Sequence, residues 1–269
     1  MSIIAVTGAA SGIGSATAAL LEGRGDRVIG VDLGGVEVVA DLATEQGRRR
    51  AVEAVTAACG GVLDGLVTCA GLAGAPDRPG SALVAVNYFG TIEVLAGLRP
   101  ALARGTAPSA VAISSNATTC QPGIPKGVIE ACLAGDEETA RARADRSGSL
   151  AAYGATKTAV ARWVRRKAVT DEWIRAGVRL NAIAPGMIDT PMTAEGRADP
   201  TVGPLLAQFP MPIGRPGHPT EMAALIGFLL SDVASFFCGS IVFADGGTDA
   251  LLRADDWPAA WDLELPARS

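Results

Sequence analysis

The chain has 269 residues and a formal net charge of −5, with 49% hydrophobic and 19% charged side chains. That composition can bury a sizeable core and excludes a disordered chain, while the acidic balance argues against the clustered basic surface that nucleic acid requires. A single His excludes His-rich metal sites and any scheme needing two imidazoles, so no metal site is expected and the chemistry must come from a short list holding two Tyr and three Lys.

In chain order, short apolar runs alternate with stretches of helical spacing. Ile3 to Val6, Arg27 to Val31, Val36 to Ala40, Leu63 to Cys69, Ala110 to Ser114, Val178 to Ile183 and Ile241 to Ala244 read as buried strands. Gly12 to Arg24, Thr44 to Cys59, Ser81 to Arg104, Leu150 to Ala176 and Glu221 to Ser231 read as helices, and Met222 to Leu230 as a core helix. Such alternation predicts one α/β domain over 1–250, a doubly wound parallel sheet covered on both faces. Thr119 to Gly148 breaks the rhythm as a long insertion whose charged half, Asp136 to Arg146, is expected to form an exposed helix. A tail, 251–269, carries Trp257 and Trp261 and is expected to dock near the substrate pocket. Arg48-Arg49-Arg50 reads as a solvated helix face. The five cysteines Cys59, Cys69, Cys120, Cys132 and Cys238 have no CxxC spacing and read as free thiols. With no basic leader and no run approaching 18 apolar residues, a cytoplasmic protein without a membrane span is expected.

Three features carry chemistry. The first strand runs into Thr7-Gly8-Ala9-Ala10-Ser11-Gly12-Ile13-Gly14 and then a helix, where glycines let the backbone approach a pyrophosphate at the helix N-terminus. Asp32, eighteen residues after Gly14 at the end of the second strand, can accept from both ribose hydroxyls and repels a 2′-phosphate, which points to NAD rather than NADP. Tyr153 and Lys157 stand at i and i+4 on one helix face, where an ammonium lowers the phenol's pKa and makes Tyr153 a general acid/base.

With Asn87 in Val86-Asn87-Tyr88-Phe89-Gly90, Ser115 ending a strand, and Pro185-Gly186, these motifs make the chain similar to the short-chain dehydrogenase/reductase family over nearly its whole length. The resemblance implies a Rossmann-type fold, NAD(H)-dependent conversion between an alcohol and a ketone, and a catalytic set of Asn87, Ser115, Tyr153 and Lys157. Between the adjacent Ser114 and Ser115, the family pattern favours Ser115. It further implies cofactor contacts from Gly8, Ser11, Gly12, Ile13, Gly14, Asp32, Asp41, Leu42, Ala70, Gly71, Tyr153, Lys157, Pro185, Gly186, Ile188 and Thr190, with Asn87 anchoring a water. Asn181 and Asp245-Gly246-Gly247 match structural positions of the family. Thr68-Cys69 departs from the family's habit of an Asn before Ala70-Gly71.

Longer runs, among them Ala40-Asp41-Leu42 and Ala176-Gly177-Val178-Arg179-Leu180-Asn181, resemble the bacterial 3α-hydroxysteroid dehydrogenase/carbonyl reductase subgroup. So does the near absence of a helix between Asp32 and Asp41. The resemblance implies a bulky, apolar, steroid-like alcohol or ketone as substrate. Met187, Met192 and Phe209 are candidates for its pocket, with ordinary loop packing as the alternative. Another cyclic alcohol, a terpenoid alcohol or a dihydrodiol, is the second reading, and a non-catalytic NAD sensor the third. The insertion stands where family dimers commonly pack, so a homodimer through another surface is expected, with a homotetramer as the alternative. His218 is expected to cap or precede the following helix, and Cys69 to be a small buried thiol.

Overall fold

A computed structural model describes residues 1–257. Seven parallel strands form one sheet: β1 (Ile3–Thr7), β2 (Arg27–Asp32), β3 (Val38–Val39), β4 (Gly65–Thr68), β5 (Ser109–Ile113), β6 (Arg179–Pro185) and β7 (Ile241–Ala244). Their order is β3-β2-β1-β4-β5-β6-β7. Every residue of β4, β5 and β6 is buried, as expected of parallel strands covered on both faces.

Alternate side chains along each strand supply two cores. Ala5, Leu66, Ala110 and Ala112 face α2 (Glu45–Ala58), α4 (Gly90–Leu102) and α8 (Ser149–Ala168). Ile4, Val6, Val67, Val111 and Ile113 face the other layer, where α1 (Gly12–Gly23) packs on α11 (Pro219–Leu230) through Leu21, Met222, Ile226 and Leu229. The chain changes direction across the sheet between β1 and β4. The crevice at the carboxyl ends of the strands therefore opens beside Gly8, Cys69 and Ser114, the place where open α/β sheets bind ligands.

Several boundaries differ from the sequence-based expectation. Only Val38–Val39 of the third apolar run pairs as a strand, because Gly34 and Gly35 occupy a bend before it. The helical stretch from 81 to 104 divides into α3 (Gly80–Leu83), a π-turn at Val84–Phe89, and α4. Taken together, Gly80–Leu102 is long and apolar enough to cross a membrane, with a mean hydropathy of 1.5, yet most of it is buried inside the protein. α8 stops at Ala168, short of Ala176, and a π-turn over Asp171–Arg175 follows. His218 is the N-cap residue of α11, its backbone N–H donating to Glu221 Oε2 at 2.7 Å.

The insertion is helical and packed. After α5 (Ala117–Cys120) come α6 (Lys126–Ala134) and α7 (Glu137–Ser147), joined by Gly135 in the left-handed region and capped by Asp136, which accepts from Thr139 N–H at 3.0 Å. The expected exposed helix is only partly exposed, since Ala140 and Ala144 are fully buried. What docks it also corrects the reading of Arg48-Arg49-Arg50 as a solvated face. Arg48 is 2% exposed, donates from Nε to Glu93 of α4 at 2.7 Å, and forms a two-pronged pair with Glu137 of α7 at 2.6 and 3.3 Å. The triplet straddles the boundary between the buried and solvated sides of α2, and only tertiary packing decides which Arg turns inward.

Three further helices follow β6: α9 (Pro191–Ala198), α10 (Val202–Ala207) and α12 (Thr248–Leu252). α12 crosses the expected boundary at 250. Trp257 is 65% exposed with Arg253 over its ring at 6.0 Å, and Trp261 lies outside the described residues.

Candidate active site

One cleft runs along the carboxyl ends of the strands, and every residue expected at the cofactor lines it. At its floor, Gly8 has φ +68°, and a Cβ there would stand 2.7 Å from Ala70 N. A Cβ on Gly14 would stand 2.1 Å from the Gly8 carbonyl oxygen, so the turn can close onto α1 only with glycine at that place. Gly12, at φ +53°, faces the Thr190 methyl, where any side chain would narrow the cleft. The Ser11 side chain makes no cap to the first turn of α1, leaving those N–H groups available to an anion. This cradle fits a dinucleotide diphosphate.

Asp32 ends β2 beside the cradle. Its Oδ2 accepts from Ala10 N–H at 3.0 Å and its Oδ1 from Leu33 N–H at 2.7 Å, which fixes the carboxylate plane and leaves further lone pairs for hydroxyls. Asp41 and Leu42 reach the same rim because the β2–β3 connection is a bend with no helix in it. Leu33, Ala40, Leu72, Val86, Pro191 and Thr193 also line the cleft and were not anticipated. Their only sequence signal was adjacency to the motifs.

At the other end, β5 delivers two serines with different fates. Ser114 Oγ donates to the Lys157 carbonyl at 3.0 Å and ties the strand to α8. Ser115 Oγ accepts from Ala117 N–H at 3.1 Å and lies beside Tyr153 in the cleft lining. Ser114's hydroxyl is thus engaged with the backbone of α8, which leaves Ser115 as the hydroxyl beside the phenol. Burial raises the Tyr153 pKa above its ordinary value, and the neighbouring Ser115 hydroxyl opposes that rise. Lys157, expected to lower the phenol's pKa, instead donates from Nζ to the Ile113 carbonyl at 3.0 Å. Burial brings its own pKa down to about 8. Cys69 stands nearby, half-buried rather than the buried thiol expected, with its pKa pushed up to about 12 by desolvation.

Asn87 sits outside this lining, fully buried in the π-turn. Its amide accepts from Leu72 N–H at 2.7 Å and donates to the Leu72 carbonyl at 2.9 Å, with Thr156 Oγ1 at 3.5 Å. Among the candidates for the substrate pocket, Met192 lines the cleft. Met187 lines a separate cavity with Met211, Ile213, Met222 and Phe243, and Phe209 lines neither. The segment after Pro185 turns at Met187, whose carbonyl pairs with Gly217, so its neighbour Ile188 faces the cleft and also borders the second cavity. Among the described residues no group of three or more His, Cys, Asp or Glu is placed to hold a metal ion, and the five cysteines are unpaired.

A glycine cradle on β1, an acid at the end of β2 and a Ser–Tyr–Lys set across β5 and α8 define an NAD-dependent oxidoreductase, and the chain belongs to the short-chain dehydrogenase/reductase family. Residues 4–184 match the NAD dependent epimerase/dehydratase family, and residues 139–249 the enoyl-(acyl carrier protein) reductase family. The chain is 43% identical to the 3-alpha-hydroxysteroid dehydrogenase/carbonyl reductase of Comamonas testosteroni, covering 94% of this chain and 98% of that one. It is 36% identical to the cis-4-hydroxycyclohexanecarboxylate dehydrogenase of Sinomonas cyclohexanicum, over 93% and 97% of the two chains. Its fold superposes with a TM-score of 0.91 on the crystal structure of the 3-alpha-hydroxysteroid dehydrogenase from Pseudomonas sp. B-0831 complexed with NADH, at 47% identity over 94% and 99%.

Proposed function

We propose that this enzyme interconverts a bulky, apolar secondary alcohol of the 3α-hydroxysteroid type and its ketone, with NAD(H) in the cleft. One observation carries the chemistry: Ser115, Tyr153 and Lys157 converge on the end of a glycine-lined dinucleotide cradle, with Tyr153 and Lys157 one helical turn apart. When bound, NAD supplies the hydride acceptor, and NADH the donor, for the carbinol carbon. Gly8, Ser11, Gly12, Ile13 and Gly14 hold its diphosphate, and Asp32 holds the adenine ribose. Asp41, Leu42, Ala70, Gly71, Pro185, Gly186, Ile188 and Thr190 complete the walls of the cleft.

In the oxidative direction, Tyr153 removes the hydroxyl proton while Ser115 donates to the substrate oxygen, where charge develops. Lys157 holds the nicotinamide ribose and supplies the positive charge that a phenolate at Tyr153 requires. In reduction Tyr153 returns the proton. Asn87 contributes by fixing the backbone at Leu72 on the substrate side of the cleft. Met192 contributes apolar surface. The steroid reading is supported by likeness to two enzymes that bear that name over nearly their full lengths. A second reading, a smaller cyclic alcohol, is supported by likeness to the hydroxycyclohexanecarboxylate dehydrogenase.

A panel of steroid, monocyclic and acyclic alcohols with NAD separates these readings. Highest kcat/KM on 3α-hydroxysteroids is expected, and activity confined to short acyclic alcohols overturns the proposal. Tyr153→Phe is expected to lower kcat by about 10³-fold or more with NADH binding unchanged. Retained turnover removes Tyr153 from its role. We further propose a cytoplasmic homodimer built away from the insertion, because α6 and α7 cover α8.

A further inference from the structure

Between Gly71 in the cleft and the start of α3, the chain runs through eight residues, Leu72 to Pro79, without helix or strand. Its backbone is nevertheless held at both ends and in the middle. Asn87 pairs with both the N–H and the carbonyl of Leu72. Ser149 does the same at Ala75 with a single hydroxyl: Oγ accepts from Ala75 N–H at 2.8 Å and donates to the Ala75 carbonyl at 2.8 Å. Asp145 Oδ1 accepts from Ser81 N–H at 2.7 Å. Packing at two glycines is equally close. A Cβ on Gly74 would stand 2.9 Å from Leu150 Cα, and one on Gly80 would stand 2.3 Å from the Ala144 carbonyl oxygen.

Two of these three attachments come from the exit of the insertion, Asp145 of α7 and Ser149 at the start of α8. Ser149 is 6% exposed, so its two hydrogen bonds are shielded from water. It also precedes Tyr153 by four residues on the same helix, one turn away on the same face. Leu72, at the head of the segment, lines the cleft. Further along, Arg78 donates to the Ala73 carbonyl and pairs at 3.3 Å with Glu195 of α9, whose first residues form the facing wall.

We infer that the insertion is the scaffold of the substrate-side wall, and that Ser149 is a positioning residue setting the distance between that wall and Tyr153. A segment with no ladder of its own samples many conformations, and a buried hydroxyl that is both donor and acceptor removes that freedom at one residue. A rigid ring system touching the wall reaches Tyr153 only if the wall is in place. A small acyclic alcohol reaches it in either case. The inference rests on reading this cleft as the oxidoreductase site for bulky alcohols.

Ser149→Ala tests it in the full-length enzyme, with Asp145→Ala as a second variant at an exposed position that leaves the core intact. For Ser149→Ala the expected result is about a tenfold fall in kcat/KM for a polycyclic alcohol, less than twofold change for an acyclic one, and unchanged NADH affinity. Asp145→Ala should move the same ratio by less. An equal fall for both substrates overturns the inference, because Ser149 then serves α8 and Tyr153 alone; no change in either overturns it as well. Amide hydrogen exchange over residues 72–81 gives an arm independent of turnover. Faster exchange there in Ser149→Ala supports the attachment, and unchanged protection refutes it. If the wild-type enzyme oxidises none of the alcohols offered, the functional reading fails, while the exchange arm still decides whether Ser149 holds the wall.

Discussion

Lys157 is the most constrained ionisable group in the site. Buried beside Cys69, with Nζ on the Ile113 carbonyl, its ammonium releases a proton near pH 8 in the folded chain and near its ordinary value of about 10.4 in the unfolded one. Between those values the unfolded chain binds more protons. The cost of burying the charge is thus full below about pH 8 and is relieved as pH rises towards 10.4. Cys69, pushed up to about 12, acts in the opposite sense above the ordinary thiol range. Comparison with Lys157→Met isolates the lysine. Urea titrations of the cofactor-free proteins should find wild type gaining stability relative to the variant across that window; a flat difference refutes the assignment. Thr68 offers a second test. Among the described residues its Oγ1 is the buried side-chain polar atom without a hydrogen-bond partner. Thr68→Val keeps the shape and removes the unpaired hydroxyl, so it should stabilise the protein by about 1 kcal/mol, read as a raised Tm. A fall in Tm would reveal a partner for that hydroxyl.

The insertion illustrates how an element can be read correctly in kind and incorrectly in setting. Gly135, Asp136 and Gly148 mark its helix ends by local chemistry, because a left-handed backbone and an N-cap are properties of single residues. Its docking depends on Arg48, Glu93 and Glu137, which lie up to 89 residues apart in the chain and carry no mutual signal in the sequence. Arg48 also stands over the Phe89 ring at 5.9 Å. Arg48→Met strips two carboxylates of their shared partner, and a loss of about 3 kcal/mol is expected in urea unfolding. A change below about 0.5 kcal/mol would mean that the pair is a surface contact of little consequence. The π-turn at Val84–Phe89 was equally invisible. An extra residue in a helical turn leaves the apolar pattern nearly unchanged, yet here it falls at Asn87, which reaches back to Leu72.

Taken as a whole, the molecule buries one face of α8 under α6 and α7, and this carries the expectation for assembly. Light scattering should give a dimer. A dimer that persists when exposed residues of α6 and α7 are replaced by Glu places its interface elsewhere, whereas dissociation by those replacements overturns the proposed arrangement. By itself the sequence determined the strand–helix alternation, the glycine cradle, Asp32 at the end of β2, and the Tyr153–Lys157 spacing. Each is a local pattern, written within a few residues of itself. Only the tertiary structure decided that Ser114 bonds to the Lys157 carbonyl, that Lys157 bonds to Ile113, and that Asn87 holds Leu72. It also turned Met187 away from the cleft and Arg48 into the core. Those outcomes depend on which face of each element the rest of the chain covers. That is set by packing among residues distant in sequence, where neither spacing nor composition leaves a mark.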